Sequence, residues 1–310
     1  MRYLTFLLLV LLATAMACKQ DASTPDDTLA VADESTSTDS SVSTAEARAY
    51  SVWNTAPNPE SVTIDGAVVY VTHFGPELAP TQKDGDGYIA VYDANGTLVD
   101  TLYRGLHAPK GTVVLGKVLY VADVDRLIGI NTSTGKKIVE VSFAGKTSFL
   151  NGLTAGVSDN LYVSGTDVGK IWRVVPRTQT VEEVADLPGA NGLAYDAKRQ
   201  AVYAVQYLQD NPTGGKIYLV DAETGAMRSE SEYSGMLDGA HLRGGKLYFT
   251  DWNPAGAGRV VALDVSTRTT QVLAEDASFA GPANFDMLGD GLALVPMLTG
   301  SKVVAVPLVD

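Results

Sequence analysis

One motif of nearly constant length recurs six times along this chain, and that recurrence restricts the fold more than any other feature. The segments Pro59-Glu60 to Tyr70-Val71, Pro109-Lys110 to Tyr120-Val121 and Leu150-Asn151 to Tyr162-Val163 align with one another. So do Ala190-Asn191 to Tyr203-Ala204, Leu237-Asp238 to Tyr248-Phe249 and Ala283-Asn284 to Leu294-Val295. In each, a polar residue precedes an aromatic or apolar marker by 10 to 12 positions. Turn residues at the centre, as in Asp65-Gly66, Ser158-Asp159-Asn160 and Gly244-Gly245, make each segment a β-hairpin. A third strand follows, as in Tyr88 to Asp93, Ile171 to Val175 and Val260 to Asp264. Successive units begin 50, 41, 40, 47 and 46 residues apart, the spacing of four-stranded propeller blades. No window between the strands has room for an amphipathic helix, so the expected fold is an all-β, six-bladed β-propeller. The sixth unit stops after its third strand, Val303 to Val306. The segment Ala49 to Trp53 precedes the first unit and is expected to complete the last blade.

The chain before the repeats has a different character. Met1 and Arg2 lead into an apolar run from Leu4 to Leu12 and then small residues ending in Ala17, the pattern of a secretory signal peptide over residues 1–17. Cys18 follows directly, and this junction resembles the lipobox of bacterial lipoproteins, in which the cysteine is lipidated and becomes the first mature residue. From Lys19 to Glu46, 11 of 28 residues are Ser or Thr, seven are acidic and none is aromatic. Such a segment cannot bury enough apolar area to offset its chain entropy, so residues 18–46 are expected to be a disordered tether and the propeller to span 47–310. These features imply a protein anchored to a membrane through lipid on Cys18, in the cell envelope. Lys19 stands where enterobacterial lipoproteins retained at the inner membrane have aspartate, so the resemblance implies the outer membrane, facing the periplasm or the surface.

Charge and cysteine content remove other classes. Thirty-six acidic residues against 23 basic ones give a net charge of −13, which argues against nucleic acid as a partner. With one cysteine there is neither an internal disulfide nor a Cys-rich zinc module. A monomer is expected.

In a propeller the innermost strand of each blade starts at one end of the central channel. The six equivalent positions there are Glu60, Lys110, Asn151, Asn191, Asp238 and Asn284, all polar. One Glu, one Asp and several Asn offer hard oxygen donors suited to calcium or another divalent cation, with a small-molecule ligand or substrate in the central channel. The second strands end three residues beyond the markers, at His73, Asp123, Gly165, Gln206, Asp251 and Met297. His73 is the histidine best placed to act as a base, the alternative being a ring bound to a neighbouring carbonyl. Asp123, Gln206 and Asp251, with Lys110 and Asn284, are expected at the pocket rim. The excursion from Gly75 to Gly87 reads as a loop over the pocket, and Trp172 and Trp252 as packing residues.

The phrases Asn58-Pro59-Glu60-Ser61, Leu150-Asn151-Gly152, Ala190-Asn191-Gly192-Leu193-Ala194-Tyr195-Asp196 and Leu237-Asp238-Gly239 resemble the blade openings of the senescence marker protein/gluconolactonase/luciferin-regenerating enzyme-like superfamily. The resemblance implies a calcium-dependent hydrolase of lactones or related esters. Glu60, Asn191 and Asp238 would be its metal ligands, Asn151 a fourth ligand or substrate contact, and Asp238 or His73 the group activating water. Two positions depart from that pattern. Lys110 occupies the ring in blade 2, where its stem turns the ammonium outward or pairs it with Glu60 or Asp238, and Ser61-Val62 follows Glu60 where the superfamily has Gly-Pro. The alternative is a non-catalytic envelope propeller that binds a ligand or a protein.

Overall fold

The computed structural model describes residues 50–289 and 291–308; the signal-type segment, Cys18 and the Ser/Thr-rich stretch lie outside them. The described chain forms six four-stranded antiparallel sheets arranged as the six blades of a propeller. Blade 1 contains the strands Pro59–Asp65, Val68–His73, Gly87–Asp93 and Leu98–Leu106, hydrogen-bonded in that order. The next four blades open with Pro109–Leu115, Leu150–Ala155, Ala190–Asp196 and Leu237–Arg243. Blade 6 is built from Asp286–Leu288, Leu292–Met297 and Lys302–Pro307, and Ser51–Asn54 adds its fourth strand, with Ser51 opposite Ala305 and Asn54 opposite Lys302. The closing strand therefore comes from the N-terminal side of the first repeat, as its unassigned position in the sequence suggested.

The recurrence of the aromatic marker has a packing cause. Apolar cores lie between neighbouring blades, and the markers belong to them. Tyr70 of blade 1 shares a core with Leu119 and Ile128 of blade 2, and Tyr162 of blade 3 shares one with Leu193 and Val202 of blade 4. Each such ring removed from water stabilises the interface by about 2 kcal/mol. The second strand supplies these residues because a neighbouring blade packs on each of its faces; all six residues of Ala201–Gln206 are buried.

Where each inner strand begins, the ladder carries one extra residue. In blade 1, Pro59 pairs with His73 and Val62 with Val71, so Glu60 and Ser61 together oppose Thr72. The same two-against-one mismatch places Lys110-Gly111 opposite Ala122, Asn151-Gly152 opposite Ser164, Asn191-Gly192 opposite Val205, and Asp238-Gly239 opposite Thr250. These are β-bulges, which interrupt the alternation of side chains and redirect one of them. The redirected residue is in each case the polar residue of the repeat.

A bulge leaves backbone groups without ladder partners, and three blades satisfy them with a buried hydroxyl. Ser164 Oγ accepts the Gly152 N–H at 2.9 Å and donates to the Asn191 carbonyl of blade 4 at 2.7 Å. Thr250 Oγ1 does the same between Gly239 N–H (2.8 Å) and the Ala283 carbonyl (3.3 Å), and Thr72 Oγ1 between Ser61 N–H (2.9 Å) and the Lys110 carbonyl (3.5 Å). Blades 1, 3 and 5 thus carry hydroxyl bolts to their neighbours, whereas blades 2, 4 and 6 present Ala122, Val205 and Pro296 at the equivalent place. Between blades 6 and 1 the backbone makes the connection directly: Val62 N–H donates to the Asn284 carbonyl at 3.0 Å and Asn284 N–H to the Glu60 carbonyl at 3.1 Å.

Candidate functional site: a half-satisfied polar ring

The bulges bring Glu60, Lys110, Asn151, Asn191 and Asp238 into the interior, each at most 4% exposed, with Asn284 half-buried beside Glu60. Asn284 Nδ2 donates to Glu60 Oε2 at 3.4 Å. Lys110 turns its ammonium to the carbonyls of Pro80 (2.7 Å) and Ala108 (3.0 Å), over the faces of Phe74 and Phe149 at 5.1 and 4.4 Å. No ion pair joins it to Glu60 or Asp238 among the described residues. Of the two arrangements open to Lys110 from sequence, the ammonium takes the outward one, and it fastens the Gly75 to Gly87 excursion through Pro80.

The other half of the ring is different. Asn151 Oδ1, Asn191 Oδ1 and Asp238 Oδ1 are buried and have no hydrogen-bond partner. The second carboxylate oxygen of Asp238 accepts the Trp252 indole N–H at 2.9 Å, which fixes the carboxylate plane. A buried oxygen without a donor costs about 1–3 kcal/mol. Three of them, contributed from the same register position of blades 3, 4 and 5, are acceptors of the kind a hard cation takes. Among the described residues no three of His, Cys, Asp and Glu are grouped to hold a metal, so a cation here would depend on the asparagine oxygens as well as on Glu60 and Asp238.

Around the ring lies a second circle, formed by the residue that follows each second strand: Phe74, Val124, Thr166, Tyr207, Trp252 and Leu298. Phe74, Val124 and Leu298, from blades 1, 2 and 6, are buried in one apolar cluster with Ala108 and Ala283, against which Trp252 packs. Thr166, Tyr207 and Trp252, from blades 3 to 5, are partly exposed, and Tyr207 meets Trp252 edge-to-face at 5.4 Å. The partly exposed half of this circle therefore belongs to the blades that supply the buried unpartnered oxygens. Trp252 and Tyr207 were not singled out as site residues from sequence. Their shared register, one residue after Asp251 and Gln206, is the signal that would have found them.

The residues expected at the rim act mainly as staples. Asp123 accepts His107 N–H at 2.9 Å and pairs with Arg126. Asp251 accepts Met236 N–H at 3.0 Å and the Tyr233 hydroxyl at 2.8 Å. Gln206 donates to the Pro188 carbonyl at 2.8 Å and accepts Lys216 N–H at 3.0 Å. Each ties down the chain two or three residues before a ring position. His73 does likewise: Nδ1 is 3.0 Å from the Pro57 carbonyl, the ring stacks on Tyr88 at 4.9 Å, and Nε2 is buried without a partner. The carbonyl-bound alternative for this histidine is the arrangement found.

Burial dominates the electrostatics. It pushes the Asp238 carboxyl up to about 7, opposed by the Trp252 donor and Lys110. Burial and then the Asp238 charge raise Glu60 well above the usual carboxylate range. Burial brings Lys110 down to about 8 despite the pull of Glu60, and His73 down to about 4.

These shifts make a signed prediction for the calcium-free protein. Above about pH 4 the unfolded chain has released the Asp238 proton, whereas the folded protein keeps it until about 7, so this group's contribution to stability falls as pH rises through that interval. His73 acts with the opposite sign. Its folded value of about 4 lies below the ordinary 6.5, so its contribution falls as pH drops through the same interval. A comparison with Asp238→Asn reads the first effect together with its coupling to Glu60: the variant should gain stability relative to wild type between about pH 4 and about pH 7 in urea titrations. A difference that stays flat over that range would contradict the buried-carboxyl account.

No protein-family model matches the chain, and no curated protein matches it. Solved structures do. A Bacteroides thetaiotaomicron protein of unknown function is similar at 13% identity and a TM-score of 0.65, over 82% of this chain and 70% of that one. The catalytically inactive virginiamycin B lyase from Staphylococcus aureus, solved with quinupristin, is similar at 15% identity and a TM-score of 0.56, over 84% of this chain and 100% of that one. A chain of the nidogen/laminin complex gives 18% identity and a TM-score of 0.55, over 70% and 79%. What they share with this chain is the propeller. A lyase and a chain of a nidogen/laminin complex both occur among these neighbours, so the chemistry has to be argued from the ring itself.

Proposed function

We propose that the ring takes one divalent cation, calcium by its donor chemistry, and that the propeller hydrolyses a lactone or related ester at the accessible side of blades 3 to 5. The observation that carries this reading is the set of three buried oxygens left without donors, Asn151 Oδ1, Asn191 Oδ1 and Asp238 Oδ1. Glu60, Asn151, Asn191 and Asp238 would hold the ion, and their two carboxylates balance its charge. When bound, such an ion polarises a carbonyl oxygen. The chain's own groups do the rest. The Asp238 carboxylate, its plane fixed by Trp252 at Oδ2, would take a proton from the water that attacks the carbonyl carbon and return it to the alkoxide released as the acyl C–O bond breaks. Tyr207 and Trp252 form an aromatic wall that shields a bound acyl group from solvent.

A panel of aliphatic and aromatic lactones tests the reaction. Hydrolysis should require calcium, disappear reversibly on chelation, and fall by about 100-fold or more in Asp238→Asn; an undiminished rate in that variant would refute it. One observation favours the binding-only alternative: His73 is fully buried and held by Pro57, which leaves Asp238 without a second proton-transfer partner. Retention of calcium and of ligand with no turnover on the panel would identify that case.

We also propose that the protein is exported and lipid-anchored through Cys18, with the acidic Ser/Thr-rich stretch as a spacer, because the single cysteine follows the small-residue exit of an apolar leader. In a bacterial host, palmitate labelling of the wild type and its loss in Cys18→Ser are the expected results.

A further inference from the structure

Away from the ring, along the same axis, lies a cavity of about 230 Å³. It has room for on the order of seven waters at about 30 Å³ each. Of the six ring residues, Asn284 alone lines it. Its walls come from the later residues of the inner strands, which pass from buried at Ser61, Thr63 and Thr112 to half-buried at Ile64, Val113 and Val114, so the cavity opens at the end of the channel remote from the ring.

The chemistry of these walls is distinctive. Ser61 Oγ and Thr63 Oγ1 both contact Thr112 Oγ1, at 2.9 and 2.7 Å. Asp286 accepts Ile64 N–H at 2.9 Å and Met287 N–H at 2.7 Å, and His241 Nδ1 stands 3.3 Å from its other side. With its carboxylate already served by two backbone donors and an imidazole, the cavity has no free anion. No lysine or arginine lines it among the described residues, so an anionic ligand would find no counter-charge, and the Asp286 carboxylate already has its donors. Hydroxyls that both donate and accept select a ligand able to do the same, and the aliphatic side chains interleaved on the strands suit C–H surfaces. The volume, below the usual range for drug-sized ligands, suits a molecule no larger than one sugar ring.

We propose that this remote mouth of the channel is a second binding site, for a small neutral polyol or a single sugar unit. The site is independent of any cation in the ring and of any turnover there. Burial also lowers the basicity of His241, which keeps its ring neutral and leaves the wall without positive charge near pH 7.

Saturation-transfer NMR on the full chain, with glycerol and D-glucose as probes, tests the proposal. The expected result is a saturable response with a dissociation constant on the order of 1 mM, unchanged by calcium or chelator. His241→Trp should fill the mouth and weaken binding at least about tenfold. Thr112→Val, which removes the central hydroxyl, should weaken it by a similar factor. Either variant that melts like wild type and binds less supports the site. The absence of saturable transfer to both probes in the wild-type protein overturns it, whatever the variants do. So does binding that survives both substitutions, or binding that is abolished by chelation, which would move it to the ring.

Discussion

Calcium at about a hundred times its dissociation constant should raise the melting temperature of the propeller by about 5–10 °C. Binding at that excess adds about 2.7 kcal/mol to the folded state, and a domain of this size gains about 2–4 °C per kcal/mol. The stabilisation has a structural source: an ion would satisfy Asn151 Oδ1, Asn191 Oδ1 and Asp238 Oδ1 together, all of them buried and unpartnered without it. Asp238→Asn should abolish most of the shift, because the substitution keeps the shape and removes one of two charges. Asn191→Leu should remove most of it as well. Magnesium should give less, since it demands a regular octahedron that a ring set by blade geometry does not supply. Differential scanning calorimetry in chelator and in excess calcium reads all of these, and an unchanged melting temperature in wild type would remove the cation from the account.

The second large effect concerns the fold. Gly192→Ala should destabilise the protein by about 3 kcal/mol or more, enough to lower its urea midpoint markedly or prevent its accumulation. A Cβ at Gly192 would stand 2.1 Å from the Asp238 carbonyl oxygen, and one at Gly152 2.1 Å from that of Asn191. At Gly111 and Gly239 the corresponding distances are 2.4 Å to Asn151 O and 2.6 Å to Ala283 O. In each case the obstacle is the backbone of the next blade, which cannot move without opening the ring. Gly→Ala at all four positions should be costly, with Gly152 and Gly192 the most severe. A Gly192→Ala protein as stable as wild type would show that the inner strands are less closely packed than described.

These glycines also mark how far the sequence could be read. The repeat of polar residue and marker was enough to place every blade and the closing strand, because a ring of hairpins must bury one aromatic or apolar residue per interface and that residue keeps its register. The Asn-Gly and Asp-Gly openings were legible as a pattern, but their cause was not. It lies in a bulge whose extra residue appears only when both strands are paired, and in a carbonyl belonging to a segment some 40 residues away. The same limit applies to the site. Glu60, Asn151, Asn191 and Asp238 could be aligned from spacing, yet nothing in the spacing distinguishes Lys110 held by Pro80 from Lys110 paired to Glu60. That choice depends on a loop of blade 1 and on the rings of Phe74 and Phe149. His73 matched a catalytic offset and proved to be fixed by Pro57, three residues before Glu60 in the chain. Asp286, by contrast, had no motif to announce it, since its partners Ile64 and His241 come from two other blades.

The division of the ring into two halves has a consequence for how such a molecule could be retargeted. Closure of the circle is handled by blades 6, 1 and 2, through the strand Ser51–Asn54, the Asn284 backbone contacts and the Lys110 anchor. On the function proposed above, recognition would fall to Asn151, Asn191 and Asp238 with Thr166, Tyr207 and Trp252, all from the opposite arc. Exchanging side chains on that arc would change which molecule is welcomed while leaving the clasp untouched.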